Sequence, residues 1–80
     1  MTNLSPRREG VTAEELRVRI GKRIKAYRTA LFLTQSELAL KVGCGQDAIS
    51  GWERGKRYPE TYYMYTLAIA LNVSVNDLYT

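Results

Sequence analysis

Along the chain one local pattern recurs three times: an apolar residue, then Ser or Thr, then an acid three positions after the hydroxyl, followed by another apolar residue. In Val11-Thr12-Ala13-Glu14-Glu15-Leu16, Thr12 is placed to cap the Glu15 amide, Glu15 to reach back to Thr12, and Val11 to pack on Leu16. Leu33-Thr34-Gln35-Ser36-Glu37-Leu38 repeats it, and Val73-Ser74-Val75-Asn76-Asp77-Leu78 repeats it with Asp in place of Glu. Each marks a helix start. From the first, Leu16, Ile20, Ile24, Tyr27 and Leu31 recur at steps of four, four, three and four, one stripe of a helix that runs to about Ala30. Gly21 within it costs roughly 1 kcal/mol against alanine, so its presence points to tolerance or to a close contact.

A second helix is predicted from Gln35, burying Leu38, Ala39 and Val42 and stopping where Gly43 can turn left-handed. The turn is only Gly43-Cys44-Gly45. A third helix follows from about Gln46 with Ile49 and Trp52 inward, ending before Gly55. Pro59 bars helix continuation through the basic loop Lys56-Arg57-Tyr58-Pro59. A fourth helix, roughly Tyr62 to Leu71, has the inward stripe Met64, Leu67, Ala68 and Leu71, and a short fifth spans Val75 to Tyr79. Residues 1–10 read as a flexible arm and 11–80 as the folded domain. Two helices joined by a glycine-containing turn, with the small Ala39 where they approach, describe a helix-turn-helix unit. The outer face of its second helix is Gln46, Asp47, Ser50, Gly51 and Arg54, short and polar.

Composition narrows the function classes. Eighty residues, 45% hydrophobic and 25% charged, make one small globular domain. With no histidine and scattered acids, histidine-based catalysis and zinc-finger chemistry lose an essential part, and no enzyme, metal or cofactor is expected. A lone Cys44 suits a reducing cytoplasm and reads as an inert turn residue. No apolar run approaches the roughly 18 residues of a membrane span, and the start lacks the apolar core of a signal peptide. Residues 1–28 carry eight of the twelve Lys/Arg against three acids, and the remainder carries four against five. This basic half attracts phosphate or an anionic surface, or is simply a solvated helix face.

The ordered set Ile20-Gly21-Lys22-Arg23-Ile24, Leu33-Thr34-Gln35-Ser36-Glu37-Leu38-Ala39, Ile49-Ser50-Gly51-Trp52-Glu53-Arg54-Gly55-Lys56-Arg57-Tyr58-Pro59 and Leu67-Ala68-Ile69-Ala70-Leu71-Asn72-Val73 resembles the Cro/repressor-type helix-turn-helix family over about residues 20–79. The resemblance implies an all-α, five-helix lambda-repressor-like DNA-binding domain with the helix-turn-helix at helices 2 and 3. Carried over by position, Gln35 would bind a phosphate and brace Gln46, the first residue of the recognition helix. Gln46 would pair with adenine and Asp47 accept from cytosine or adenine. Ala48 and Ser50 would touch a thymine methyl or a phosphate. Gly51 departs from the family, in which a long polar side chain often stands there, so base readout is expected to be thin and to lean on DNA shape. Arg54, Lys56 and Arg57 would clamp the phosphate backbone. Arg28 and Glu53 match a structural ion pair of the family. Trp52, three residues from Ile49, reads as core rather than as a base-stacking platform.

A second apolar row on helix 4, Tyr62, Tyr65 and Ile69, together with Leu78 and Tyr79, offers a partner surface. The resemblance implies a homodimer through the C-terminal helices, binding a pseudo-palindromic site in double-stranded DNA. In the bland alternative these tyrosines wrap the same small core. The competing functional reading is an antitoxin that meets a protein partner through Tyr62, Tyr65 and Ile69 while regulating its own operon. A membrane-surface role for basic helix 1 is the weakest candidate, and no small-molecule ligand is evident. Arg7 and Arg8 in the arm read as a flexible leader, with minor-groove entry as the alternative.

Overall fold

The computed structural model describes residues 11–80, and the arm expected at residues 1–10, with Arg7 and Arg8, lies outside them. Five helices follow in order: α1 (Ala13–Ala30), α2 (Gln35–Val42), α3 (Gln46–Glu53), α4 (Thr61–Leu71) and α5 (Val75–Tyr79). Among the described residues there is no strand. All three capping boxes form. The Glu15 amide donates to the Thr12 hydroxyl at 3.0 Å, and the Thr12 amide donates to the Glu15 carboxylate at 3.0 Å. The Thr34/Glu37 and Ser74/Asp77 pairs repeat the exchange. Each cap holds an end amide that would otherwise lack a partner, a contribution of about 1 kcal/mol. At the third box the Ser74 amide and hydroxyl hold the Asp77 carboxyl below the usual carboxylate range.

One apolar cluster joins every helix: Ile20 and Ile24 of α1, Leu38, Ala39 and Val42 of α2, Ile49 and Trp52 of α3, Met64, Leu67, Ala68 and Leu71 of α4, and Leu78 of α5. Each fully buried aliphatic side chain contributes on the order of 2 kcal/mol. Trp52 is buried with its ring 5.3 Å from that of Tyr63, tilted by 46°, so its indole is a core element. Two expectations need correction. Leu31 lies beyond the last turn of α1 and is exposed: the helix ends at Ala30, before the stripe's last step, and the inward row stops at the half-buried Tyr27. Leu78, read as part of a partner surface, is fully buried. The Ser74 cap fixes the start of α5 so that Leu78 turns inward, where α5 packs on α1 and α4.

Gly21 is a point of close approach. A β-carbon built there would lie 2.2 Å from the Trp52 carbonyl oxygen and 2.9 Å from that of Glu53. Only glycine lets α1 rest directly on the backbone at the end of α3, which holds α3 at a fixed height above the core.

Candidate nucleic-acid interface

The α2–α3 turn is made by Gly43, whose φ of +85° ends α2 in the left-handed conformation, and by Gly45, the extended N-cap of α3. This short reversal brings the first turns of both helices side by side. A chain of polar contacts crosses between them from the core to the surface. Arg28 forks onto Glu53, with Nε to Oε2 at 2.6 Å and Nη2 to Oε1 at 2.9 Å, while its Nη1 donates to the Leu33 carbonyl at 2.8 Å. The Glu53 hydrogen bond raises the pKa of the Arg28 guanidinium, against the opposing effect of burial. Bidentate geometry and a third acceptor are what a buried charge needs to remain ionised without a large desolvation cost.

Glu53 also accepts from Gln35 Nε2 at 3.0 Å. The Gln35 carbonyl oxygen in turn accepts from Gln46 Nε2 at 3.3 Å, and the Ser36 hydroxyl donates to Gln46 Oε1 at 3.0 Å. Gln46 is therefore held at both ends of its amide, at the N-terminus of α3, by a network rooted in a buried ion pair. One amide hydrogen and one oxygen lone pair of Gln46 stay free, the donor–acceptor pair that adenine's major-groove edge requires. Ser36 was not among the residues expected here. Its hydroxyl at the start of α2 was the only available signal, because the contact depends on the angle between two helices.

Beyond Gln46, Asp47 and Arg54 are exposed and Ala48 and Ser50 are half-buried. Arg54 Nε donates to the carbonyl and hydroxyl oxygens of Ser50, both at 3.3 Å. Gly51 is buried, not open as expected. A β-carbon there would meet Arg57 Nε at 3.0 Å and Nη2 at 3.2 Å, with Cζ farther at 3.5 Å, so the Nε/Nη2 edge of the Arg57 guanidinium faces it. The cause is the end of α3. Gly55, at φ +73°, donates to the Trp52 carbonyl at 3.0 Å, and Lys56 donates to the Gly51 carbonyl at 2.9 Å. This Schellman closure folds the basic loop back along the helix, leaving the Lys56 and Arg57 side chains exposed.

Tyr62, Tyr65 and Ile69 lie apart on the outer side of α4, exposed to 66%, 61% and 63%. Tyr79 turns toward the basic loop, its hydroxyl 2.8 Å from that of Tyr58. Cys44 is half-buried in the turn, and burial pushes its thiol pKa up, which disfavours the reactive thiolate. Among the described residues no cluster of ligands could hold a metal ion, and no helix is long and apolar enough to cross a membrane.

The helix-turn-helix family profile matches residues 24–78. The chain is similar to an uncharacterized HTH-type transcriptional regulator of Archaeoglobus fulgidus, 37% identical over 57 residues that cover 71% of this chain and 81% of the other. It is also similar to one from Sinorhizobium fredii, 36% identical over 66 residues, covering 82% and 86%. Among solved structures, the restriction-modification controller protein C.AhdI from Aeromonas hydrophila superposes with a TM-score of 0.75 at 34% identity, over 78% of this chain and 94% of that one. The P22 c2 repressor, solved in complex with a synthetic operator, superposes with a TM-score of 0.72 at 37% identity, over 74% and 89%.

Proposed function

This chain belongs to the Cro/repressor-type helix-turn-helix family and is a DNA-binding transcription regulator, and we propose that it works as a homodimer laying α3 in the major groove of a pseudo-palindromic operator. One observation carries this reading: the hydrogen-bonded chain from Arg28 and Glu53 through Gln35 to Gln46. A side chain at the tip of a helix, pinned by a buried ion pair yet left with a free donor and acceptor, is preorganised to meet a base edge at little further entropic cost.

In the proposed complex Gln46 pairs with adenine, Gln35 adds a phosphate contact, and Asp47 accepts from an exocyclic amino group. Ala48 and Ser50 pack beside them, and Arg54 and Lys56 neutralise phosphates. The exposed Tyr62, Tyr65 and Ile69, with Tyr79 beside them, form the dimer surface. The reading is of a binding protein, not an enzyme, acting where the genome is, in the cytoplasm. It is tested by enriching tight binders from a random duplex pool and titrating the product against scrambled duplex across a salt series. The expected product is an inverted repeat with half-sites about 34 Å apart, bound on the order of 1,000-fold more tightly than scrambled DNA. Equal, steeply salt-dependent binding to every duplex would overturn it and shift attention to a protein partner of the α4 surface, as an antitoxin would have.

A further inference from the structure

Gly51 leaves a blank on the exposed side of α3, one turn after Asp47 and beside Arg54. The structure fills that blank from outside the helix. The Schellman closure at Gly55 reverses the chain, so that the amides of Lys56 and Arg57 both point at the Gly51 carbonyl, at 2.9 and 3.4 Å. The Arg57 side chain then runs back along α3. Its guanidinium covers Gly51, and Nη2 donates to the Asp47 backbone carbonyl at 3.3 Å. It occupies the space that a side chain at position 51 would take.

We infer that Arg57 is a base-reading residue and that the partner it selects is guanine. This rests on the reading of α3 as the helix that enters the major groove. Three features favour a base edge over a phosphate. First, the guanidinium is anchored on the helix face, whereas a backbone clamp extends from the loop; the Asp47 bond fixes the plane of its fork. Second, one donor is committed to Asp47, and no carboxylate among the described residues pairs with Arg57. The remaining donors suffice for the parallel bonds to guanine O6 and N7. Third, the Asp47 carboxylate belongs to the same turn. It repels a phosphate brought to that place, while a neutral base edge meets no such penalty, and the cytosine amino group is a partner that Asp47 can accept from. Gly51 then gives the reading arm from the following loop its room, since a β-carbon there would stand 3.0 Å from Nε and push the guanidinium outward by a few tenths of an ångström.

The test compares wild-type protein with Arg57→Lys and Gly51→Ala, using selection from a random duplex pool followed by titration of the enriched sequence and its single-base variants. Lysine keeps the charge and loses the fork, and both sites are far enough from the core for melting temperature to serve as a check on folding. In the wild type, one guanine per half-site should be preferred on the order of tenfold over other bases. Arg57→Lys should abolish that preference while leaving the other positions and the salt dependence in place, and Gly51→Ala should weaken the same position selectively. A guanine preference that survives Arg57→Lys overturns the assignment. So does an Arg57→Ala variant that binds all sequences uniformly more weakly and whose salt slope falls by about one, the signature of a phosphate contact. If the wild type selects no sequence at all, it is the operator reading that fails, and this inference with it.

Discussion

At the residue scale, Phe32 is the clearest mismatch between chemistry and conformation. α1 ends in a Schellman closure, with the Phe32 amide donating to Thr29 and the Leu33 amide to Arg28. Its left-handed position is held by Phe32 at φ +60°, where glycine is usual, and the ring is 92% exposed. A β-carbon in that conformation costs about 1–2 kcal/mol, while glycine adds back roughly 0.5–1 kcal/mol through its freedom in the unfolded chain. Because the ring packs on nothing, Phe32→Gly should stabilise the domain by roughly 0.5–1 kcal/mol. In a domain this small that is a rise of several degrees in thermal midpoint. A lower midpoint in the variant would mean that the ring makes a stabilising contact, and the strain argument would fail.

At the element scale, α5 is tied to the loop after α3 by the hydrogen bond between the Tyr58 and Tyr79 hydroxyls. That bond, with burial adding to it, pushes the Tyr58 pKa up to about 12 from an ordinary 10.0. A tyrosine whose folded pKa lies above its unfolded value favours the fold fully below pH 10, and the contribution disappears as pH rises towards 12. Ultraviolet titration should therefore show one tyrosine ionising late, and Tyr79→Phe should bring it back towards 10. If Tyr79→Phe leaves the titration unchanged, α5 is not held to the loop in this way. The elements themselves were legible because their signals are local: a hydroxyl and an acid three residues apart on one chain specify a capping box whatever surrounds it, and the inward rows follow helical spacing. What was not legible depended on how elements meet. Ser36 reaches Gln46 only at the observed crossing of α2 and α3, Arg57 covers Gly51 only after the Gly55 reversal, and nothing in the composition of the last helix tells whether Leu78 faces the core or a partner.

At the scale of the whole molecule, the proposed homodimer sets one α3 on each half-site and gains its specific affinity from the two copies held in register. The surface proposed for that copy has both an apolar row and a recess: Tyr62, Tyr65 and Ile69 stand exposed on α4, and a groove beside them is lined by Tyr58, Thr61, Met64, Tyr65, Val75 and Tyr79. Tyr65 belongs to both, so it is the residue whose change separates pairing from reading. Tyr65→Glu places a charge in the contact without touching the core, and it should leave the thermal midpoint of the isolated domain near that of the wild type. In sedimentation the wild type should be dimeric and the variant monomeric. Joining two half-site contacts typically multiplies affinity by a factor of 100 or more, so the variant should lose on the order of 100-fold in affinity for the inverted repeat while keeping its affinity for a half-site. If the wild type sediments as a monomer and Tyr65→Glu binds the full repeat unchanged, the homodimer is removed from the reading. The tyrosine surface would then belong to a different protein, and α3 would act alone.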